Sequence, residues 1–417
     1  MRALLVALAL AGAGRAQQVD APAPAFGPGV YVGYQGWFHA EGDGCGVGFR
    51  HYGRDGRFEP GSCSVDYWPD VSEYAPEERY PTPFRHADGR VAEVFSAADA
   101  GTVARHFAWM AEHGIDGAFA QRFGASLRSP RMRVARDRVL ANVRAGANAH
   151  GRAWALMYDL SGLRRGEVAA VVAADFRRLH AAGTFDDPRY LQFEGKPLVA
   201  VWGVGFDDGR AYTLAECRAL VELLHDDPDV GGNAVMLGLP HGFRSGRRDA
   251  VDDPALQALA AEVEVISPWA VGRYADLDAV RRNQESALAP DAAWCRARGV
   301  AYLPVVFPGF SWHNLKHRED RPAPLDQIPR LGGEFLWQQA LAARRVGAET
   351  VYVAMFDEVD EGTAIFKVAP SPPVGASPFL DYGGLPSDHY LWLTGEIGRM
   401  LRGDLPASER RPQRAPR

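Results

Sequence analysis

The 417 residues are 47% hydrophobic, 24% charged and 11% aromatic. These proportions exclude a disordered chain, a collagen-like fibre and a small disulfide-stapled scaffold, and they leave room for one large α/β domain. The 46 basic and 52 acidic residues give a formal net charge of −6, so a polyanion such as nucleic acid is not an expected partner.

In chain order, the first feature is a leader. Met1-Arg2 is a short basic start, Ala3 to Gly14 is apolar, and small residues follow. Residues 1–16 read as a signal peptide, too short to span a bilayer, which implies a periplasmic or secreted protein. No later stretch is long and apolar enough for a membrane span. Cys45 and Cys63 lie in a Gly-rich region where a disulfide would pin a long loop, while Cys217 and Cys295 fall in helical patterns as buried thiols. No zinc-ligand spacing is present, and neither a metal nor a cofactor is expected.

Eight runs rich in β-branched, apolar and aromatic residues recur: 30–38, 114–123, 152–160, 198–206, 233–243, 263–271, 301–310 and 350–356. Most are continuously apolar, as in parallel strands buried on both faces. Helical periodicity falls between them, at 98–113, 131–150, 168–182, 214–225, 254–261, 284–298 and 335–346, and again at 389–401. This alternation predicts a (β/α)8 TIM barrel over residues 28–403. A long loop insertion, residues 39–97, follows the first strand. It holds His51, Tyr52, Tyr67, Trp68 and Tyr74 and is expected to be ordered. Residues 404–417 are polar and Arg/Pro-rich and are expected to form a disordered tail.

In such a barrel the active site lies at the C-terminal ends of the strands. Those ends supply Tyr34, Gln35 and Trp37; Gln121 and Arg122; Asp159; Trp202; His241; Trp269; and Trp312 with Asn314. Flat aromatic faces pack on sugar rings, and the polar members would bond hydroxyls. With Asp70 from the insertion, these residues are the expected lining of a carbohydrate cleft.

After the eighth strand comes Asp357-Glu358-Val359-Asp360-Glu361, four carboxylates in five residues. Positions i and i+3 of a strand face opposite ways, so Glu358 and Glu361 share a cleft only if the chain turns, as Gly362 allows. Paired carboxylates are the equipment of glycoside hydrolysis, and crowding raises the pKa of one of them. A metal-binding use of the four acids is the rival reading, though the EF-hand spacing is absent.

Phe356-Asp357-Glu358-Val359-Asp360-Glu361-Gly362-Thr363 resembles the Phe-Asn-Glu-Trp-His-Glu-Gly-Thr segment of glycoside hydrolase family 99, retaining endo-α-mannosidases and mannanases on a (β/α)8 barrel. The segment from Tyr190 to Pro197 looks like a matching stretch of families 71 and 99. Gly33 to Phe38, Trp68 to Val71 and Gly114 to Gly117 are similar to a secreted bacterial group related to family 99, often labelled xylosidase or arabinosidase. The resemblance spans about residues 28 to 403. It implies Glu358 as the base on the sugar 2-hydroxyl and Glu361 as the general acid and then base, with Tyr34 and Trp37 lining the cleft. Asp357, Val359 and Asp360 stand where the family has Asn, Trp and His, which puts mannose specificity in question.

The expected function is therefore a secreted, retaining glycoside hydrolase acting on an oligosaccharide or polysaccharide through Glu358 and Glu361. Two alternatives stand beside it: a sugar-binding barrel without hydrolytic activity, and a hydrolase using the four carboxylates as metal ligands. No GxSxG nucleophile elbow and no phosphate-binding glycine loop is present.

Overall fold

The computed structural model describes residues 23–54, 56–316 and 323–414. The leader at residues 1–16 lies outside the described residues.

Eight parallel strands form the barrel: β1 Gly29–Tyr34, β2 Gly117–Phe123, β3 Ala153–Asp159, β4 Lys196–Trp202, β5 Ala234–Pro240, β6 Val265–Trp269, the split β7 Ala301–Tyr302 and Val305–Val306, and β8 Thr350–Val353. Each pairs with the next in sequence, and β8 returns to β1 with Gly29 opposite Thr350. The first half of β7 pairs with β6 and the second half with β8, so the sheet closes on itself through one strand. The split falls at Leu303-Pro304, where proline has no N–H to give to a ladder. This is the expected (β/α)8 barrel. β1 ends earlier than its apolar run suggested, because Gly36 adopts φ +54 and turns the chain out of the sheet.

The outer layer comprises α1 Ala100–Glu112, α2 Pro130–His150, α3 Ala174–Ala181, α4 Leu214–Asp226, α5 Pro254–Ala260, α6 Leu277–Asn283 with its continuation to Arg296, α7 Glu334–Arg345 and α8 His389–Arg402. Their ends follow local chemistry. Ser129 caps α2 ahead of Pro130, and Gly151 closes it in the left-handed conformation. Thr213 and Glu216 form a capping box on α4. Among the described residues, no helix is long and apolar enough to cross a membrane.

The long insertion folds because it carries its own aromatic core. Tyr52, Trp68 and Tyr74 are buried. Trp68 packs on Phe58 at 5.7 Å and on Phe84 at 5.1 Å, and Tyr52 on Phe38 at 4.8 Å. A hairpin of Tyr80–Arg85 and Val91–Val94 lies within it. Cys45 and Cys63 are free thiols, not bridged to each other. The C-terminal stretch departs from expectation. Residues 404–414 pack on the barrel: the carbonyls of Ser408 and Glu409 accept bonds from Trp337 and Gln338 of α7, and Arg414 pairs with Asp388. Polar composition suggested a frayed tail, but its arginines and carbonyls find fixed partners on α7 and α8.

Candidate active site

The strands alternate between a barrel interior and a helix-facing exterior, and this sorts the candidate residues. The interior stacks rings and sulfurs: Tyr31 on Phe119 at 6.1 Å, Phe119 on Tyr352 at 5.7 Å, and the Tyr352 hydroxyl beside the sulfurs of Met157 and Met355. Gly33 makes room for them, since a Cβ there would lie 2.1 Å from the Tyr352 hydroxyl. Above this floor the same face presents Gln35, Gln121, Asp159, Trp202 and Trp269. Trp202 and Trp269 meet edge to face at 5.3 Å. Gln121 Nε2 donates to Asp159 at 3.3 Å. Burial lifts the Asp159 carboxyl to about 6, against two bonds to Ser161.

The acidic turn stands at the mouth. Its backbone doubles back at once: the Glu358 carbonyl accepts the N–H groups of Thr363 and Ala364 at 3.1 and 2.9 Å. Gly362 takes φ +64 against the Ser311 backbone. The reversal brings Glu361 within electrostatic reach of Glu358. Arg330 braces it from outside, donating to the carbonyls of Gly362 and Ala364 at 2.8 and 2.7 Å from within a cage of Tyr67, Tyr382 and Tyr390. The insertion adds a second brace. Asp66 accepts from Ser311 Oγ and from the N–H groups of His313 and Asn314, and Ser311 N–H in turn holds the Glu361 carbonyl.

The four acids are set differently. Asp357 is fully buried and accepts the N–H groups of Gln35 and Gly36 at 2.8 and 2.9 Å; burial raises its pKa to about 6. Glu358 accepts from Gln35 Nε2 at 2.8 Å and from the Thr363 hydroxyl at 2.6 Å. Burial and then the charges of Glu361 and Asp360 push it well above the carboxylate range, while the two donors favour its ionised form. Asp360 lies 3.4 Å from His51 Nδ1, and its other oxygen is buried without a partner. Glu361 is half-buried and makes no side-chain hydrogen bond among the described residues. Burial raises it to about 7, with Lys316 pulling the other way.

Trp37 joins this group through His51, stacked on it at 4.0 Å with the rings 4° apart. The Trp37 and Trp202 indole N–H groups and the Gln121 carbonyl oxygen are buried and unpartnered.

Five expected lining residues are placed elsewhere. Tyr34 points outward and bonds His106 of α1 at 2.9 Å. Arg122 faces the helices and pairs with Asp175 and Asp137 at 2.6 and 2.7 Å. His241 bonds Asn283 of α6 at 2.8 Å. Each sits one residue from an inward position, and one step along a strand exchanges faces. Asn314 is spent tying the insertion to the mouth through the carbonyls of Val65 and Pro378, and Asp70 caps its own turn through Ser72. Trp312 is at the rim, its indole bonded to Gln327. The residues that sequence reasoning left out are His51, Asp66, Arg136, Arg330 and Thr363. His51 carried a signal as an aromatic of the ordered insertion, and Thr363 as the last residue of the segment that resembles family 99.

Among the described residues, the one group of His, Cys, Asp and Glu donors close enough to share a metal ion is His39, Asp43 and Cys45. It is distinct from the four acids, whose oxygens do not converge in that way.

No family model matches the sequence, and no curated protein matches it either. Solved structures do. The GH99 endo-alpha-mannosidase of Bacteroides thetaiotaomicron, free and in complex with BIS-TRIS-propane, superposes with TM-scores of 0.62 and 0.63 at 15% identity, over 90% of this chain and 97% of that one. A glycoside hydrolase-like protein superposes at 0.54 and 12% identity, over 91% and 97%. The chain has the fold of a family 99 glycoside hydrolase. At these identities the likeness establishes the fold alone, and the reading of the site rests on its own geometry.

Proposed function

We propose that the protein is a retaining glycoside hydrolase acting on an oligosaccharide or polysaccharide, with Glu358 and Glu361 as its two working carboxyls. The observation that carries this reading is their unequal setting within one turn. Burial and the charges of Glu361 and Asp360 raise the Glu358 pKa, and its two donors oppose that rise by favouring the ionised form, which is the form that takes a proton from a sugar hydroxyl. Glu361 is unbonded and titrates near 7, which suits a general acid that protonates the leaving oxygen and later accepts a proton from water. In this scheme Glu358 removes the proton of the 2-hydroxyl, whose oxygen displaces the leaving group and forms a 1,2-anhydro sugar. Water, giving its proton to Glu361, then attacks the anomeric carbon and breaks its bond to O2, and Glu358 returns its proton to O2, with net retention. Trp202, Trp269 and the Trp37–His51 pair would pack against or bond the sugar. The endo-α-mannosidase named above makes α-mannosides the first substrates to try. Asp360 in place of the family's histidine argues for testing other sugars beside them. We further propose export, directed by residues 1–16.

The test is a panel of α-mannosides, xylans and arabinans offered to wild type, Glu358→Gln and Glu361→Gln, with and without chelator. Cleavage of one substrate, lost in both variants and indifferent to chelator, supports the reading. Binding without cleavage would make the barrel a lectin-like protein, and loss on chelation would favour a metal-dependent hydrolase.

A further inference from the structure

Arg136 of α2 is 4% exposed. Its Nη1 donates to the Gly36 carbonyl at 3.0 Å, while Nε and Nη2 are buried without a partner. No carboxylate among the described residues lies within ion-pair distance of it. That contrasts with Arg122 nearby, which holds Asp175 and Asp137 directly. A guanidinium taken out of water with no counter-charge is costly, so its charge must be balanced close by. The residue that accepts its hydrogen bond shows where. Gly36 gives its carbonyl to Arg136 and its N–H to Asp357 Oδ2 at 2.9 Å. One glycine thus joins a buried cation to a buried anion. No other residue fits there: φ is +54, and a Cβ would lie 2.8 Å from Val139 Cγ1.

We propose that Arg136 and Asp357 are an ion pair bridged by Gly36, and that Arg136 is a positioning residue that keeps Asp357 charged beneath the two glutamates. Charged and titratable groups facing Arg136 include Arg50, His39, His51 and Cys45 of the insertion, Arg122 of β2, and Asp357. Asp43 and Asp360 lie beyond the two histidines, bonded to them, whereas Asp357 shares Gly36 with Arg136 directly. Asp357 in turn faces Tyr34, Tyr52, Tyr352, Glu358 and Asp360. A charged Asp357 opposes ionisation of Glu358, so the pair helps decide which acid of the turn carries the proton. That last step rests on the glycosidase reading; the pair itself does not.

The experiment is urea unfolding of the full chain at pH 7 for Arg136→Met, Asp357→Asn and the double variant. Each single change is expected to lower the folding constant at least tenfold. The double variant should be at least tenfold more stable than the two losses predict, because both charges leave together. Losses that simply add overturn the pair. If Arg136→Met does not fold, the double variant still decides: a folded double supports the pair, and an unfolded double beside a folded Arg136→Lys overturns it. With a substrate from the panel, Asp357→Asn should move the acid limb of the kcat/KM profile to lower pH, and Arg136→Lys should leave it in place. Coupling without hydrolysis keeps the pair and removes the glycosidase reading; hydrolysis without coupling does the opposite.

Discussion

The two faces of the barrel wall treat charge in opposite ways. On the outer face Arg122 meets Asp175 and Asp137, and His241 meets Asn283, each within 2.8 Å. On the inner face at the mouth, Asp357, Glu358, Asp360 and Glu361 crowd one turn, and burial raises every one of their pKa values. Paired charges hold layers together, while crowding and burial raise the pKa values of the acids at the mouth, the kind of setting that the glycosidase proposal above would use.

The sharpest way to break this contrast is to neutralise one charge on each face. Glu361→Gln should lower kcat by about a thousandfold, comparable to other transition-state contacts, and leave the urea midpoint unchanged or higher. Arg122→Met should do the reverse. It removes two charge-assisted bonds from buried Asp175, which keeps Arg178 and the Tyr158 hydroxyl, so unfolding free energy should fall by about 2 kcal/mol while the folded protein keeps its kcat. Equal effects of both changes on one measurement would erase the distinction.

The pH dependence is a finer test. Glu361 near 7 must be protonated to act as an acid, so kcat/KM should decline as pH rises through about 7, and that limb should vanish in Glu361→Gln. Stability carries the same signature. A carboxyl whose pKa is raised on folding binds its proton more tightly in the native state, so stability falls as pH climbs from the ordinary carboxyl range to about 7. Thermal melts between pH 4.5 and 7 should be flatter for Glu361→Gln than for wild type.

The smallest expected effects come from two neighbours on β1 and its exit. Gln35→Leu removes the amide that grips Glu358 and should lower kcat about tenfold, the scale of one charge-assisted bond. Tyr34→Phe, one residue away, loses only the bond to His106. It should cost about 1 kcal/mol of stability and leave kcat within about twofold. If Tyr34→Phe proved the more damaging to kcat, the assignment of faces would be wrong.

These neighbours also show what could be read from the chain. Eight apolar runs announced eight strands, since a strand buried on both faces is continuously hydrophobic. The same continuity hid which residues point inward, because alternation is the signal of facing and such strands lack it. Hence Gln35 and Tyr34, or Gln121 and Arg122, were equally eligible in sequence. The acidic turn was legible through its density of carboxylates and Gly362. The braces were not: Asp66 reaches Ser311 across 245 positions, and Arg330 finds three tyrosines far from it in sequence. Long-range pairings of common residue types leave no local pattern.

One consequence concerns how the ring breathes. At β7 the hoop of hydrogen bonds narrows to two residues on either side of Pro304, the shortest splice in its circumference. Local opening costs least where the fewest bonds must be released, so amide exchange should be fastest there among the strands. The chain runs directly from that splice to Ser311, whose N–H holds Glu361. Glu361 is therefore moored to the shortest join of the barrel, while Glu358 is moored to Gln35 at the exit of β1, beside the continuous part of the hoop.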